Sequence, residues 1–227
     1  MAAVTAIVPA AGSGRRFGGD KVFAMLRGRA VIAWTLQSLH MVSSIDEVIP
    51  VVSPDLMDRM LRLVEEESFR KVKKVVPGGR ERYHSVRNGM EATDEETALV
   101  LIHDGVRPLA GPGFIAGLID AVGDYDGVVP GFMPPDTIKV RDGSDVKETL
   151  RRERLVAVQT PQVFRYEVLK RAYDKVMAER YHYTDDAQVV EMSGGRIRIV
   201  GGDRRNIKIT SPEDLVVAEA LLSMNVA

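Results

Sequence analysis

The sequence predicts an α/β fold: a mostly parallel, mixed sheet flanked by helices, wound in Rossmann-like fashion, with a β-arm protruding from it. Three observations predict it. Short apolar segments rich in β-branched residues alternate with segments of helical spacing along nearly the whole chain. The first apolar segment, residues 4–8, breaks at Pro9 into the small-residue loop Ala10-Ala11-Gly12-Ser13-Gly14, where backbone N–H groups can approach a ligand closely. Residues 136–154 leave the alternation. They are charged, lack a core face and carry the turn signal Asp142-Gly143, so they read as a projecting hairpin.

Taken in order, residues 4–8 are a buried strand and 30–41 a helix, with Val31, Ile32, Leu36 and Leu39 at helical spacing. Residues 47–52 are a strand. Ser53-Pro54-Asp55 opens a helix to about 67, with proline in its first turn. Residues 72–76 read as a strand ending at Pro77-Gly78-Gly79, 81–92 as a helix, 98–102 as a strand, 111–122 as a helix and 128–132 as a strand. After the arm, residues 156–164 return to the sheet, interrupted at Thr160-Pro161-Gln162. A helix follows over 166–179. Thr184-Asp185-Asp186 caps another, which ends at Gly194-Gly195. Residues 196–200 are a strand, and Ser211-Pro212-Glu213-Asp214 opens the last helix.

Residues 1–227 suit a single domain of ordinary globular composition, 45% hydrophobic and 28% charged. The net charge of −1 provides no global field for nucleic acid, so an anion site must be a local cluster of cations. The absence of cysteine excludes disulfides, thiolate catalysis and cysteine-zinc sites. No apolar run approaches the ~18 residues of a membrane span, and no signal-like segment opens the chain. A cytoplasmic protein with no membrane partner is expected.

Arg15, Arg16 and Lys21 place up to three cations around the Gly12–Gly14 loop, which suits a polyanion such as a nucleoside triphosphate. Two other phosphate motifs fail. Gly12, Gly14 and Gly18 are spaced G-x-G-x-x-x-G, not as the dinucleotide fingerprint, and Lys21 follows Asp20 and precedes Val22, unlike a P-loop. The bland alternative is a glycine-rich turn with solvated arginines.

Three further polar clusters fall at strand ends, where open α/β sheets bind ligands. Gly78-Gly79-Arg80-Glu81-Arg82-Tyr83-His84-Ser85 opens a helix whose N–H groups and Ser85 could read a base edge, or could form only a satisfied cap. In His103-Asp104-Gly105-Val106-Arg107-Pro108, Asp104 suits a ribose hydroxyl or a metal and Arg107 a phosphate. The competing reading is an Asp–Arg pair in a turn, and His103 is read as structural. Lys208, between Ile207 and Ile209, would face away from them into a cleft if that run is extended, or would be an edge-strand lysine.

The ordered set PAAGSGRR…K, GGRERYHS, HDGVRP, DTIK, TPQ, TDDA and NIKIT resembles the 2-C-methyl-D-erythritol 4-phosphate (MEP) cytidylyltransferases of isoprenoid biosynthesis across nearly the whole chain. The resemblance implies a Rossmann-like nucleotidyltransferase fold, a homodimer formed through the β-arm, and a divalent metal, usually magnesium (Mg2+), held mainly by CTP phosphates. Carried over by position, Ala10, Ala11, Gly12, Gly14, Gly79, Ser85 and Asp104 would bind the nucleotide. Arg16, Lys21 and Lys208 would stabilise the triphosphate and transition state. Arg107, Thr160 and Thr184 would hold MEP, with Thr137 and Arg152 supplied by the partner's arm. Arg80 departs from the pattern: some relatives carry a base-contacting aspartate there, so no side-chain base contact is expected at this position. The reaction implied is in-line attack of the MEP phosphate on the α-phosphorus of CTP, releasing pyrophosphate. Two alternatives are a cytidylyltransferase for another polyol phosphate, such as ribitol 5-phosphate, and a nucleotide-binding protein without turnover.

Overall fold

The structure, a computed structural model, describes residues 3–12, 14, 17–177, 183 and 185–224. Strand β1 (Ala3–Pro9) is central, and a small hairpin of β2 (Met25–Leu26) and β3 (Arg29–Ala30) follows it. That hairpin was not anticipated. It turns on Arg27 and Gly28, both at positive φ. Helix α1 (Val31–His40) leads to β4 (Glu47–Val52), a 3₁₀ turn, α2 (Met57–Glu66) and β5 (Val76–Pro77). Then come α3 (Arg82–Glu91), β6 (Thr97–Ile102), α4 (Pro112–Asp120) and β7 (Gly127–Phe132). The arm is β8 (Lys139–Asp142) paired with β9 (Asp145–Thr149), and Gly143 at φ +58° makes the turn. The chain closes with β10 (Ala157–Val158), β11 (Gln162–Arg165), α5 (Tyr166–Met177), α6 (Asp186–Met192), β12 (Ile197–Gly201) and α7 (Pro212–Ser223). The expected end of the fifth helix, at 179, lies outside the described residues.

Strands β5, β4, β1 and β6 run parallel, in that spatial order. Strand β11 is antiparallel to both β6 and β7, β10 is antiparallel to β7, and β12 is parallel to β7. Residues β-branched on both faces suit strands covered on both sides, and β4 is buried along its whole length. Alternation in β1 shows the two layers. Val4, Ala6 and Val8 pack toward α1, α2, α4 and α7, whereas Ile7 packs toward α3, α5 and α6.

One strand is shorter than its apolar residues suggest. Over 72–76 only Val76 pairs, at the sheet edge, because Lys74 turns to the carboxylates of Glu47 (3.2 Å) and Asp94 (3.3 Å). Residues 207–210 are a loop beyond β12, not an extended strand. The loop is fastened to the loop after β6 by Ile209 N–H donating to Val106 O at 2.9 Å, with Ile209 fully buried.

Because β1, β4, β5 and β6 are parallel, their carboxyl ends open at one edge. Main-chain bonds there draw the exits together: Ala10 N–H to Val51 O (2.7 Å), Gly78 N–H to Val52 O (2.7 Å) and Gly105 N–H to Pro9 O (3.2 Å). His103 fixes the β6 exit. It is fully buried, with Nε2 3.1 Å from Arg107 O and Nδ1 3.1 Å from Thr160 Oγ1. A carbonyl can only accept, so Nε2 carries the proton and Nδ1 accepts from the threonine hydroxyl. The same hydroxyl oxygen accepts the Asp104 N–H at 3.0 Å.

Two stability predictions follow from this packing. A Cβ on Gly89 of α3 would lie 2.5 Å from Ile7 Cγ2 and 3.1 Å from Val51 Cγ2. Gly89→Ala, which in an exposed helix would stabilise, should here destabilise by about 1–3 kcal/mol, read as a lower urea midpoint at unchanged slope. Burial lowers the pKa of His103 to about 4, with the Arg107 cation acting in the same direction and Asp104 against it. Between that value and its ordinary ~6.5 the unfolded chain binds more protons, so stability must fall as pH drops through this window. The loss is on the order of 3 kcal/mol from pH 7 to pH 4. Urea titrations across that range should show it, and His103→Gln should flatten the slope.

Candidate active site

At the common strand edge a cavity of about 350 Å³ opens. Its walls include Ala10, Ala11, Gly12 and Lys21 from the β1 loop, Gly79 and Ser85 from the start of α3, Asp104 from the β6 exit, and Lys208. Eight residues singled out from the sequence therefore meet in one place although up to 198 positions separate them (208 − 10).

Local geometry explains why small residues line it. A Cβ on Gly78 would strike Ala11 Cβ and come within 3.0 Å of Ser85 Oγ, and one on Gly79 would strike His84 Cβ. The β5 exit can lie against the β1 loop only without those side chains. Ser85 Oγ accepts Gly79 N–H at 3.1 Å and donates to Glu81 O at 3.4 Å. The hydroxyl thus holds the glycine corner in shape and keeps a lone pair for a ligand. Glu81 and His84 complete a capping box for α3, so this end is a satisfied cap and a cavity wall at once. Gly14 does not border the cavity. At φ +59° it turns the loop, accepting from Phe17 N–H at 2.8 Å.

Asp104 is the electrostatic centre. It is 6% exposed, and three cations converge on its carboxylate: Lys208 Nζ at 2.7 Å, Arg82 Nε at 3.1 Å and Arg107 Nε at 3.7 Å. Burial opposes its ionisation, but Arg82, Lys208 and Arg107 outweigh burial and hold the carboxyl well below the usual carboxylate range. The Asp104–Arg107 turn pair is therefore present, as part of a larger cluster. Lys208 reaches the cavity from a loop, not from an edge strand.

Arg82 was not singled out from the sequence, yet it borders the cavity and bridges two buried carboxylates. Its Nη1 lies 2.7 Å from Asp186 Oδ2, and Tyr173 Oη donates to Asp186 Oδ1 at 2.6 Å. Arg82 Nη2 is buried with no acceptor among the described residues, a state that costs about 1–3 kcal/mol unless a ligand oxygen supplies one. Gln159 and Asn206 were not singled out either, whereas Asp185 caps its helix as the sequence predicts. Gln159 Nε2 donates to Asn206 O (3.0 Å) and Asp203 O (2.8 Å), while Asn206 Nδ2 donates to Thr160 O (2.8 Å), so the Lys208 loop is tied to the β10–β11 turn. Asp185 caps α6 by accepting Gln188 N–H at 3.0 Å.

The expected acceptor residues are placed differently. Arg107 packs behind Asp104 and donates to Asn206 O at 2.8 Å. Thr160 is buried beneath Asp104, its hydroxyl shared between His103 and the Asp104 N–H. Thr137 and Arg152 sit at the exposed base of the arm, where Arg152 Nη1 donates to Pro135 O at 3.0 Å, and neither borders this cavity. Arg16 and Thr184 lie outside the described residues. Among the described residues no group of three or more His, Asp or Glu side chains is placed to hold a metal ion. Nor is any described helix long and apolar enough to cross a membrane.

Known proteins share both the sequence and this architecture. The profile of the 2-C-methyl-D-erythritol 4-phosphate cytidylyltransferase family matches residues 4–224. The enzyme of that name from Pelotomaculum thermopropionicum is 42% identical over 98% of this chain and 95% of its own. Its namesake from Geotalea uraniireducens is 41% identical over 96% of each. Among solved structures, the 4-diphosphocytidyl-2C-methyl-D-erythritol synthase of Anaerococcus prevotii superposes with a TM-score of 0.87 at 33% identity, over 97% of this chain and 98% of that one. The MEP cytidylyltransferase of Thermus thermophilus gives 0.80 at 31% identity, over 96% and 98%. With the profile spanning nearly the whole sequence and the cavity residues gathered at one sheet edge, the chain belongs to the 2-C-methyl-D-erythritol 4-phosphate cytidylyltransferase family.

Proposed function

We propose that this protein transfers a cytidylyl group from CTP to MEP, forming 4-diphosphocytidyl-2-C-methyl-D-erythritol and pyrophosphate. The observation that carries the reading, beside the family, is the cavity in which small-residue backbone, Lys21, Lys208 and the ionised Asp104 converge. The nucleophile is already an anionic phosphate, so no general base is needed. The obstacles are repulsion between two anions and the charge that builds around the α-phosphorus, and fixed cations counter both. Backbone around Ala10 and Gly79, with Ser85, forms the corner for the base. Asp104 faces the ribose. Lys21, Lys208 and Arg16 attend the phosphates.

Asp104, the carboxylate at the strand end, is already engaged by three cations. Such a site fits a hard cation that arrives on phosphate oxygens and keeps its waters. We therefore infer Mg2+ held mainly by the triphosphate, where it would neutralise phosphate charge. A cytoplasmic location accords with the substrates and with a chain free of cysteine.

The test of this reading is pyrophosphate release from CTP with MEP, and with ribitol 5-phosphate as the competing acceptor. Turnover should be selective for MEP, and equal turnover of the two would remove the acceptor assignment. Lys21→Ala should lower kcat by about 10²–10³ with a smaller change in CTP affinity. An intact kcat with a raised KM would restrict Lys21 to ground-state binding.

The acceptor site is completed by a second subunit. Supporting this is the arm: β9 is exposed throughout, Val146 is 64% exposed, and β8 and β9 pair only with each other. A two-stranded hairpin is marginal alone in water, so a partner surface would cover it. Thr137 and Arg152 at its base would then enter the partner's cavity, where the planar guanidinium suits a phosphate. Mixing two inactive variants, Arg152→Ala and Lys21→Ala, under subunit exchange should restore about a quarter of wild-type activity, since half the dimers then hold one intact site. No recovery despite confirmed exchange would place both residues in one subunit's site.

A further inference from the structure

Asp186 is a buried carboxylate that helix capping does not explain. It is the first residue of α6 and 1% exposed. The cap belongs to its neighbour: Asp185 accepts Gln188 N–H, and Gln162 Nε2 holds the other Asp185 oxygen at 3.1 Å. The two Asp186 oxygens are used otherwise, one by Arg82 at 2.7 Å and one by the Tyr173 hydroxyl at 2.6 Å. Arg82 in turn bonds Asp104 through Nε at 3.1 Å. A continuous chain of charged and hydrogen-bonded groups thus runs from α5 through α6 and α3 to the nucleotide cavity.

We propose that Asp186, steadied by Tyr173, is a positioning residue for nucleotide binding, holding the Arg82 guanidinium where it braces Asp104 and borders the cavity. The inference rests on the CTP reading above. A guanidinium bonded to one carboxylate can still turn about that contact. Two carboxylates from different elements fix its plane. The charge balance points the same way. Three cations (Arg82, Arg107 and Lys208) face two carboxylates, Asp104 and Asp186. Neutralising Asp186 leaves all three on Asp104, so Arg82 collapses onto the oxygens that would otherwise accept from the ribose.

The test is a double-mutant cycle read by calorimetric CTP affinity without acceptor. Asp186→Asn should weaken CTP about tenfold, Asp186→Glu should recover most of the affinity, and Tyr173→Phe should have a smaller effect in the same direction. In an Arg82→Gln background, Asp186→Asn should have no further effect, because its action passes through the missing arginine. A lowered melting temperature with unchanged CTP affinity, or losses that simply add in the double variant, would overturn the proposal. Should Asp186→Asn not fold, the cycle of Tyr173→Phe with Arg82→Gln makes the same comparison. Wild-type protein that binds CTP but does not modify MEP would remove the acceptor assignment and leave the cycle to judge Asp186.

Discussion

Asp104 can remain ionised in a buried position only because cations reach it from three separate parts of the chain. Lone burial would drive its carboxyl toward the neutral form, and a half-paired buried charge is among the more destabilising features a fold can carry. Arg82 comes from the first turn of α3, Arg107 from the loop after β6, and Lys208 from the loop after β12. Each must be delivered to within a few ångströms of one oxygen pair. The parallel order of β4, β1 and β6 makes this possible, because it places the exits of those strands side by side.

The same charges serve two ends. Without nucleotide they balance Asp104. In the proposed reaction Lys208, with 37% of its side chain exposed, would share its charge with phosphate oxygens, while Arg107, 12% exposed, stays packed inside. A site preorganised in this way needs little rearrangement as charge develops, which is the main source of electrostatic rate enhancement. The neutral backbone corner at Gly78 and Gly79 complements it. That corner contributes shape, its two N–H groups being bonded to Val52 O and Ser85 Oγ, and its closeness to Ala11 leaves no room for a side chain.

Most of the layered fold was legible in the sequence because each element obeyed a local rule. The β4 run, the α1 spacing and the Ser211-Pro212 helix start all appear where pattern and capping place them. Where the reading slipped, a long-range partner decided. Val72 and Val75 look like strand residues, but Lys74 between them is claimed by Glu47 and Asp94. Residues 207–210 look like an alternating strand, but Ile209 is pinned to Val106 and Asn206 to Thr160, neither of which lies near them in sequence. The site was legible where glycine or lysine stood out against small or apolar neighbours. It was hidden where a charged residue sat in an ordinary helix, as Arg82 does.

Asp186 shows how such a residue could have been found. A helix N-terminus needs one capping side chain, and Thr184-Asp185-Asp186 offers three candidates in a row. Reading all three as one cap hides the surplus. Asp185 makes a capping bond, while Asp186 already lies within the helix and accepts from Tyr173, itself part of the apolar layer that holds Leu169, Ala172 and Val190. A carboxylate on the buried side of a helix calls for a charged or hydrogen-bonding partner. The cation it meets is Arg82, on the helix whose start borders the cavity. A local rule met with residues to spare therefore marks a long-range ion pair, and here that pair leads from the back of the sheet to the carboxylate on which the site is built.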